Sequence, residues 1–214
     1  MAQKAEQKGG GLTLRDEQKR FTRDRLIAGA LVAFERKGYA AATIDDIVAE
    51  ANASRATFYL HFKRKADVVL VLAKARSRDW RDLYRDLASG GALTRERLYP
   101  WLDAMVANYE DHRASVQATN QAIAVEPDVA EVNLANWQGS IAVMAESIER
   151  WYGAEPEEAR VRAALLLSQL DRFFQLWIVS GLSFDRERAI GELTDQWLAV
   201  LRRRNKSPAK RKEH

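Results

Sequence analysis

Residues 43–65 combine hydroxyl, aromatic and basic side chains at spacings suited to contacting DNA. After Thr43, apolar residues recur with helical spacing up to Ala51, and a turn over residues 52–54 leads into a second short helix that ends near Phe62. Two short helices joined by such a turn are typical of a helix-turn-helix, in which the second helix enters the major groove. This second helix is therefore the candidate recognition helix.

A helical wheel separates an inner face from an outer face of the recognition helix. At about 100° per residue, Phe58 and Phe62 point the same way, toward the interior of the domain. Ala56 and Leu60 then lie on the opposite, outer side, unless Leu60 folds back onto its own domain. The outer face is flanked by hydroxyl, aromatic and basic side chains, namely Arg55, Thr57, Tyr59, Lys63, Arg64 and Lys65.

Charge is segregated along the chain. Residues 1–65 hold 13 Lys/Arg and 8 Asp/Glu, residues 66–201 hold 14 and 21, and residues 202–214 hold 7 and 1. The corresponding net charges are +5, −7 and +6, which give the net +4 of the whole chain. A basic front on an acidic body fits a polyanion-binding module, although a merely solvated basic face is the alternative.

The sequence argues against catalysis, a metal site and secretion. Its three histidines are scattered at positions 61, 112 and 214, no H-E-x-x-H spacing occurs, and cysteine is absent. No stretch resembles a signal peptide or a membrane span. We therefore expect no catalytic residues, no cofactor and no metal, and a cytoplasmic protein that does not bind membranes.

Apolar periodicity and the positions of Gly and Pro predict an all-α chain. Thr43 and Ser54 precede two of the helices and are expected to cap them. The predicted helices lie near residues 20–37, 43–51, 54–62, 65–88, 94–111, 114–125, 128–152, 156–180 and 186–204. The predicted organisation is a flexible basic tail over 1–19, a helix-turn-helix domain over 20–65, a helical body over 66–204 and a disordered basic tail over 205–214.

Two segments resemble the DNA-binding signature of TetR-type transcriptional regulators: TIDDIV at 43–48 and SRATFYLHFKRK at 54–65. The resemblance covers roughly residues 22–72, about a quarter of the chain. It implies an all-α homodimer that binds a palindromic double-stranded DNA operator. It also implies a C-terminal domain that binds a small molecule and thereby releases the DNA, so that the protein is a repressor.

The resemblance also assigns roles to individual residues. Those placed at the DNA are Thr43, Ser54, Arg55, Ala56, Thr57, Tyr59, Leu60, His61, Lys63, Arg64 and Lys65. Thr43, Tyr59, His61 and Lys65 would contact the phosphate backbone, whereas Arg55, Ala56 and Thr57 would face base edges. Tyr59 and His61 are alternatively ordinary surface or core groups. Two residues depart from the family pattern, since Ala56 replaces a frequent glycine and Arg64 replaces a helix cap.

Aromatic and methionine side chains form helical stripes in the body, either as plain core or as the wall of a ligand chamber. Asp171-Arg172, and residues 129–131 before Trp137, distantly resemble the actinobacterial ethionamide-type branch of the family, which has a long hydrophobic tunnel. We therefore predict a hydrophobic ligand lined by Trp101, Met105, Tyr109, Trp137, Ile141, Leu170, Phe174 and Trp177. The alternative is a DNA-binding regulator or architectural protein without a small-molecule switch.

The last two predicted helices have the character of a subunit interface. Helix 156–180 is apolar nearly all round between Ala163 and Val179, so more than one of its sides must be covered. Helix 186–204 carries an apolar stripe that includes Trp197. Together they predict a two-fold four-helix interface between two copies of the chain.

Overall fold

The computed structural model describes residues 13–202, and regular structure in that range is entirely helical. The all-α prediction is confirmed. The helices are α1 Leu14–Ala41, α2 Ile44–Glu50, α3 Arg55–His61, α4 Lys65–Ser89, α5 Arg95–Asp111, α6 Arg113–Ile123, α7 Pro127–Tyr152, α8 Pro156–Phe174 and α9 Arg186–Arg202. A π-helical segment, Gln175–Val179, follows α8 directly.

The chain divides into two compact units between Val68 and Val69, whereas the sequence places the boundary after residue 65. The first unit is built on α1, α2 and α3, and the second contains α5 to α9. Residues 1–12 and 203–214, which include the predicted tail over 205–214, lie outside the described residues.

The first unit has a small apolar core made by one face of each helix. Its fully buried members are Leu26, Ala30, Ala33, Tyr39, Ile47 and Phe58. At Gly29 an added Cβ would lie 2.7 Å from the Ala51 nitrogen and 2.8 Å from the Ile47 carbonyl oxygen. This glycine therefore allows α1 to approach the backbone at the end of α2 closely.

The predicted flexible tail over 1–19 is wrong for residues 14–19, because α1 begins at Leu14 rather than near residue 20. Thr13 Oγ1 accepts a hydrogen bond from the Asp16 backbone nitrogen at 3.2 Å. The Asp16 carboxylate in turn accepts one from the Thr13 nitrogen at 3.3 Å. This capping box stabilises a first turn that is exposed and has no apolar face for a periodicity argument to detect.

The second unit has a larger core centred on α5, α8 and α9. The rings of Trp101 and Trp197 lie 5.7 Å apart there, and Trp197 is fully buried. Within the described residues no helix is long and apolar enough to cross a membrane. No group of acidic, histidine or cysteine side chains suited to a metal ion occurs in that same range.

Candidate nucleic-acid interface and cavity

The start of α2 is fixed by a second capping box, as the sequence predicts for Thr43. Its Oγ1 accepts from the Asp46 nitrogen at 3.2 Å, and the Asp46 carboxylate accepts from the Thr43 nitrogen at 3.0 Å. Lys37 Nζ donates to the same carboxylate at 2.6 Å. The contacts with Lys37 and Thr43 hold the pKa of Asp46 well below its usual range. The exposed Thr43 thus marks a rigid helix start.

The turn between α2 and α3 depends on one residue in the left-handed region. Asn52 has a φ of +46°, a conformation that asparagine tolerates better than most residues. The Arg25 guanidinium donates to the Ala51 carbonyl and, at 2.9 Å, to the Asn52 carbonyl. These contacts from α1 fix the angle at which α3 leaves the turn.

Ser54 caps α3, as predicted. Its Oγ accepts from the Thr57 nitrogen at 3.1 Å and lies 2.9 Å from Thr57 Oγ1. The hydroxyls of both residues therefore face the first turn of α3, at the end that would enter a groove first. Phe58, one residue further along, is fully buried and anchors the helix to the core.

The outer face of α3 is exposed as the helical wheel predicts. Phe58 and Phe62 are buried, whereas Leu60 is 77% exposed and Tyr59 is 50% exposed. Ala56 is also exposed. The alternative in which Leu60 folds back onto its own domain is therefore wrong.

Arg55 forms an ion pair that the sequence did not anticipate. Its Nη1 donates to both carboxylate oxygens of Asp45, at 2.9 Å and 2.8 Å. This contact, with a weaker one to Tyr59, raises the pKa of Arg55. Both partners are largely exposed, so a base or a phosphate can replace Asp45 at little cost.

Lys65 has a different role from the one expected. Its Nζ donates to the carbonyls of Tyr39, Ala40 and Ala42, at 2.6 Å, 3.1 Å and 3.0 Å. All three ammonium donors are thus used inside the first unit, at the C-terminal end of α1. We therefore correct the prediction that Lys65 contacts a phosphate, because its charge instead stabilises free helix carbonyls.

Arg64 stands where a helix cap was expected, and Asp67 supplies the missing cap. The Asp67 carboxylate accepts from the Lys63 nitrogen at 2.8 Å and from the Arg64 nitrogen at 3.2 Å. The absence of a cap at Arg64 is therefore compensated from within the helix. The side chains of Lys63 and Arg64 are exposed beside the recognition helix.

His61 lies at the edge of a surface depression formed with α1. Its Nδ1 is shielded from solvent and has no hydrogen-bond partner in the described part of the chain. Burial, and then the charges of Lys19 and Arg23, lower the pKa of His61. Arg15 and Lys19 line the same depression, next to Thr57 and Leu60. The sequence-based prediction did not include this contribution of α1, although the spacing of Thr13 and Asp16 is typical of a capped helix start.

A cavity in the second unit encloses about 670 Å³, including its open mouth. Its walls mix aromatic and polar side chains, among them Arg76, Ser77, Trp80, Tyr84, Tyr109, Asn120, Asn133, Asn136, Trp137, Ser140 and Asp171. Of the predicted lining residues, only Tyr109 and Trp137 are present. The polar walls also differ from the hydrophobic tunnel implied by the resemblance to the ethionamide-type branch.

The other six predicted ligand residues lie elsewhere. Trp101, Met105, Leu170 and Phe174 are buried in the core, where Trp101 Nε1 donates to the Leu83 carbonyl at 2.9 Å. Ile141 packs against that core. Trp177 packs 5.6 Å from the Phe173 ring on another surface. The plain-core alternative thus describes most of the aromatic stripes.

The ionisable groups of the cavity interact over a short range. The Tyr109 hydroxyl donates to Asp171 at 3.3 Å. Burial raises the pKa of Asp171 and of Tyr109, and it lowers the pKa of Arg76. Sequence reasoning missed Arg76 and the three asparagines, because they are distributed over α4, α6 and α7 and form no local motif.

The first unit, with a capped α2, a left-handed turn residue and an exposed α3, defines a helix-turn-helix of the DNA-binding class. Residues 26–72 match the family of bacterial regulatory proteins described as the tetR family. The match covers the helix-turn-helix and the start of α4, so the similarity to that family concerns the N-terminal part of the chain.

The chain is also similar to a curated regulator and to solved structures. YerO of Bacillus subtilis, described as an uncharacterised HTH-type transcriptional regulator, is 30% identical over 95 residues, which is 42% of this chain. Those residues span about a third of YerO, 32% of its length. The family is described as regulatory proteins and this relative as a transcriptional regulator, in agreement with the prediction of no catalysis.

Two solved structures share the fold at low sequence identity. The fatty acid degradation regulator FadR of Bacillus halodurans is 17% identical, with a TM-score of 0.69 over 86% of this chain and 97% of FadR. The TetR family transcriptional regulator PfmR of Thermus thermophilus is also 17% identical, with a TM-score of 0.67 over 82% of this chain and 98% of PfmR. At this identity the likeness concerns the fold alone.

Proposed function

We propose that the chain is a DNA-binding transcriptional regulator. It acts as a homodimer, binds a palindromic operator through α3 and is released by a small molecule, so that it represses transcription. The observation that carries the proposal is the outer face of α3, where Ala56, Tyr59 and Leu60 are exposed although Phe58 anchors the helix. With DNA as its partner, its place of action is the cytoplasm.

The proposed contacts at DNA follow from where each group points. Thr43, Tyr59, His61, Lys63 and Arg64 would hold phosphates, Arg55 and Thr57 would reach base edges, and Ala56 and Leu60 would meet thymine methyl groups. Arg15 and Lys19 of α1 add positive charge beside His61. Lys65 is excluded from this set because its donors are already used.

The proposed homodimer is supported by exposed apolar surface on α8. Val161 and Leu165 are 49% and 66% exposed and continue every fourth residue to Gln169 and Phe173 along one face of α8. Gln169 bonds to Gln196 of α9 at 2.7 Å, beside an apolar depression that includes Phe173. The apolar stripe of α9 that includes Trp197 is instead buried in the core of the second unit, so the exposed face available to a second copy is that of α8.

The proposed release by a ligand is supported by the cavity that contains Tyr109 and Trp137. Its aromatic walls carry several convergent polar groups, a combination found in small-molecule sites. The same helix, α4, contributes Ala73, Arg76, Ser77, Trp80 and Tyr84 to the cavity wall. A ligand there would contact one helix along much of its length.

The test is selection of binding sequences from a random double-stranded DNA pool with the full chain. We expect two inverted half-sites whose centres lie about 10–10.5 base pairs apart, or a multiple of that spacing. The logarithm of affinity should fall with the logarithm of salt concentration with a slope of roughly −5 to −9 for a dimer. No enrichment, or a flat salt response, would contradict the proposal.

Matched variants separate base contacts from phosphate contacts. Arg55→Ala and Thr57→Ala should weaken binding to the selected operator by about 1–3 kcal/mol and change binding to random DNA much less. Lys63→Ala should weaken both equally. Replacing the thymine that Leu60 contacts by uracil should reduce the affinity of the native protein and leave that of Leu60→Ala unchanged. Equal losses on both DNAs for Arg55→Ala would show that α3 does not read bases.

A further inference from the structure

Arg76 carries a buried charge whose hydrogen-bonding capacity is incompletely used. Arg76 lines the cavity, and its Nη1 is shielded from solvent and has no hydrogen-bond partner in the described part of the chain. A guanidinium stays protonated even when buried. Because an unpaired buried charge is costly, such a group is expected to have a partner in the working state of the protein.

The carboxylate of Asp171 does not supply that partner. Asp171 lies close enough to influence Arg76 electrostatically, but it accepts its hydrogen bond from the Tyr109 hydroxyl at 3.3 Å. Among the residues that the structure describes, Arg76 and Asp171 form no ion pair with each other. A ligand with one negative charge can pair it with Arg76, whereas Asp171 would repel a second negative charge on the same ligand. The site therefore favours a monoanion over a dianion.

The remaining walls define the shape of the ligand. The Arg76 Cζ lies 5.6 Å from the centre of the Trp80 ring, and Trp80 Nε1 donates to Asn108 at 2.6 Å, which fixes the ring. Trp137 and Tyr84 add further aromatic walls. The side-chain oxygen of Asn136 accepts a hydrogen bond from the Ser77 hydroxyl at 2.9 Å. The amide nitrogen of Asn136 is therefore turned away from Ser77 and can donate to another group.

We propose that this cavity binds a small aromatic carboxylate, with its carboxylate on the Arg76 guanidinium and its ring between the aromatic walls. The proposal rests on the proposed function, because it names the class of ligand that would release the DNA. It replaces the hydrophobic ligand predicted from the sequence by an amphipathic monoanion.

The test compares acids with neutral amides of the same shape. Benzoate, 1-naphthoate and indole-3-acetate are titrated calorimetrically into the full chain, beside benzamide, 1-naphthamide and indole-3-acetamide. We expect at least one acid to bind, and its amide to bind about tenfold to a hundredfold more weakly. Binding by no acid, or equal binding of acid and amide, would overturn the proposal.

Two substitutions test whether Arg76 causes the preference for the acid over the amide. Arg76→Gln should remove the preference for the acid, whereas Arg78→Gln, an exposed arginine of the same helix, should leave it intact. The thermal unfolding midpoint of ligand-free Arg76→Gln should equal or exceed that of the native chain. A marked fall in that midpoint, or an acid preference that survives the substitution, would show that Arg76 is a structural residue.

DNA binding distinguishes failure of this proposal from failure of the proposed function. Arg76→Gln should bind the selected operator normally and no longer release it when the acid is added. If the acid binds through Arg76 but leaves operator affinity unchanged, the ligand site stands and the proposed switch fails. If the native chain selects no operator, the proposed function fails whatever the cavity binds.

Discussion

We expect burial and a bound DNA phosphate to shift the pKa of His61 in opposite directions. Burial and nearby cations lower its pKa in the free protein, so the ring is neutral at pH 7. The neutral state contributes stability that is present above the unfolded pKa of about 6.5 and is lost as pH falls below it. A DNA phosphate near the ring would instead favour the imidazolium.

Operator affinity should therefore rise as pH falls from 7.5 to 6.0, by up to about tenfold if DNA raises the pKa by one unit. The measurement is fluorescence anisotropy of labelled operator across this range. His61→Gln should remove the rise, and His112→Gln in the second unit should retain it. A rise that persists in His61→Gln would assign the proton to another group.

Lys65 should affect folding more than DNA binding. Lys65→Met keeps the apolar stem but removes three hydrogen bonds to the carbonyls that end α1. We expect a loss of about 1–3 kcal/mol in the free energy of unfolding, measured by urea denaturation. The exposed Lys63→Met should weaken DNA binding without loss of stability. A Lys65→Met protein as stable as the native chain would restore Lys65 as a candidate phosphate ligand.

At the scale of elements, the approach of α1 to α2 depends on the missing side chain at Gly29. Gly29→Ala would place a Cβ within 3 Å of backbone atoms of Ile47 and Ala51, so we expect destabilisation of about 1–3 kcal/mol and weaker operator binding. The matched control is Gly139→Ala in α7, where nothing lies within 4 Å of the added Cβ.

Gly139→Ala should be neutral or stabilising by about 0.5–1 kcal/mol, since alanine favours the helix more than glycine does. Thermal unfolding followed by circular dichroism measures both substitutions. If Gly29→Ala were tolerated as well as Gly139→Ala, the close contact between α1 and α2 would not determine the geometry of the helix-turn-helix.

Short-range sequence patterns predicted most of the fold but little of the cavity. Thr43 and Ser54 cap helices where the sequence predicts, because a cap depends only on the next three residues. Thr13 also caps a helix, but the sequence did not predict this helix start because no apolar stripe follows it. Arg76 could not be identified, since its environment is created by helices that meet only after folding.

At the scale of the whole molecule, α4 contains both Lys65 and the cavity residues Arg76 and Trp80. Its 25 residues make a helix about 37 Å long at 1.5 Å per residue. We predict that a ligand beside Arg76 and Trp137 displaces this helix. Two recognition helices held about 34–36 Å apart by one turn of DNA would then lose their register.

The measurement is the distance between spin labels on Ala49→Cys in the two protomers, in a chain that otherwise has no cysteine. Saturation with an acid that binds should change the distance by a few ångströms and lower operator affinity about 5- to 150-fold. Trp137→Ala should bind operator normally and respond weakly. Full release of DNA with an unchanged distance distribution would favour altered flexibility over displacement.

The pair of indole rings formed by Trp101 and Trp197 also gives the protein a selective optical signature. All six tryptophans follow residue 68, and this pair is buried at 5.7 Å in the core of the second unit. Near-ultraviolet circular dichroism records such fixed aromatic packing. The tryptophan bands will therefore report melting of the second unit alone, while the first unit must be followed through its tyrosines or its backbone.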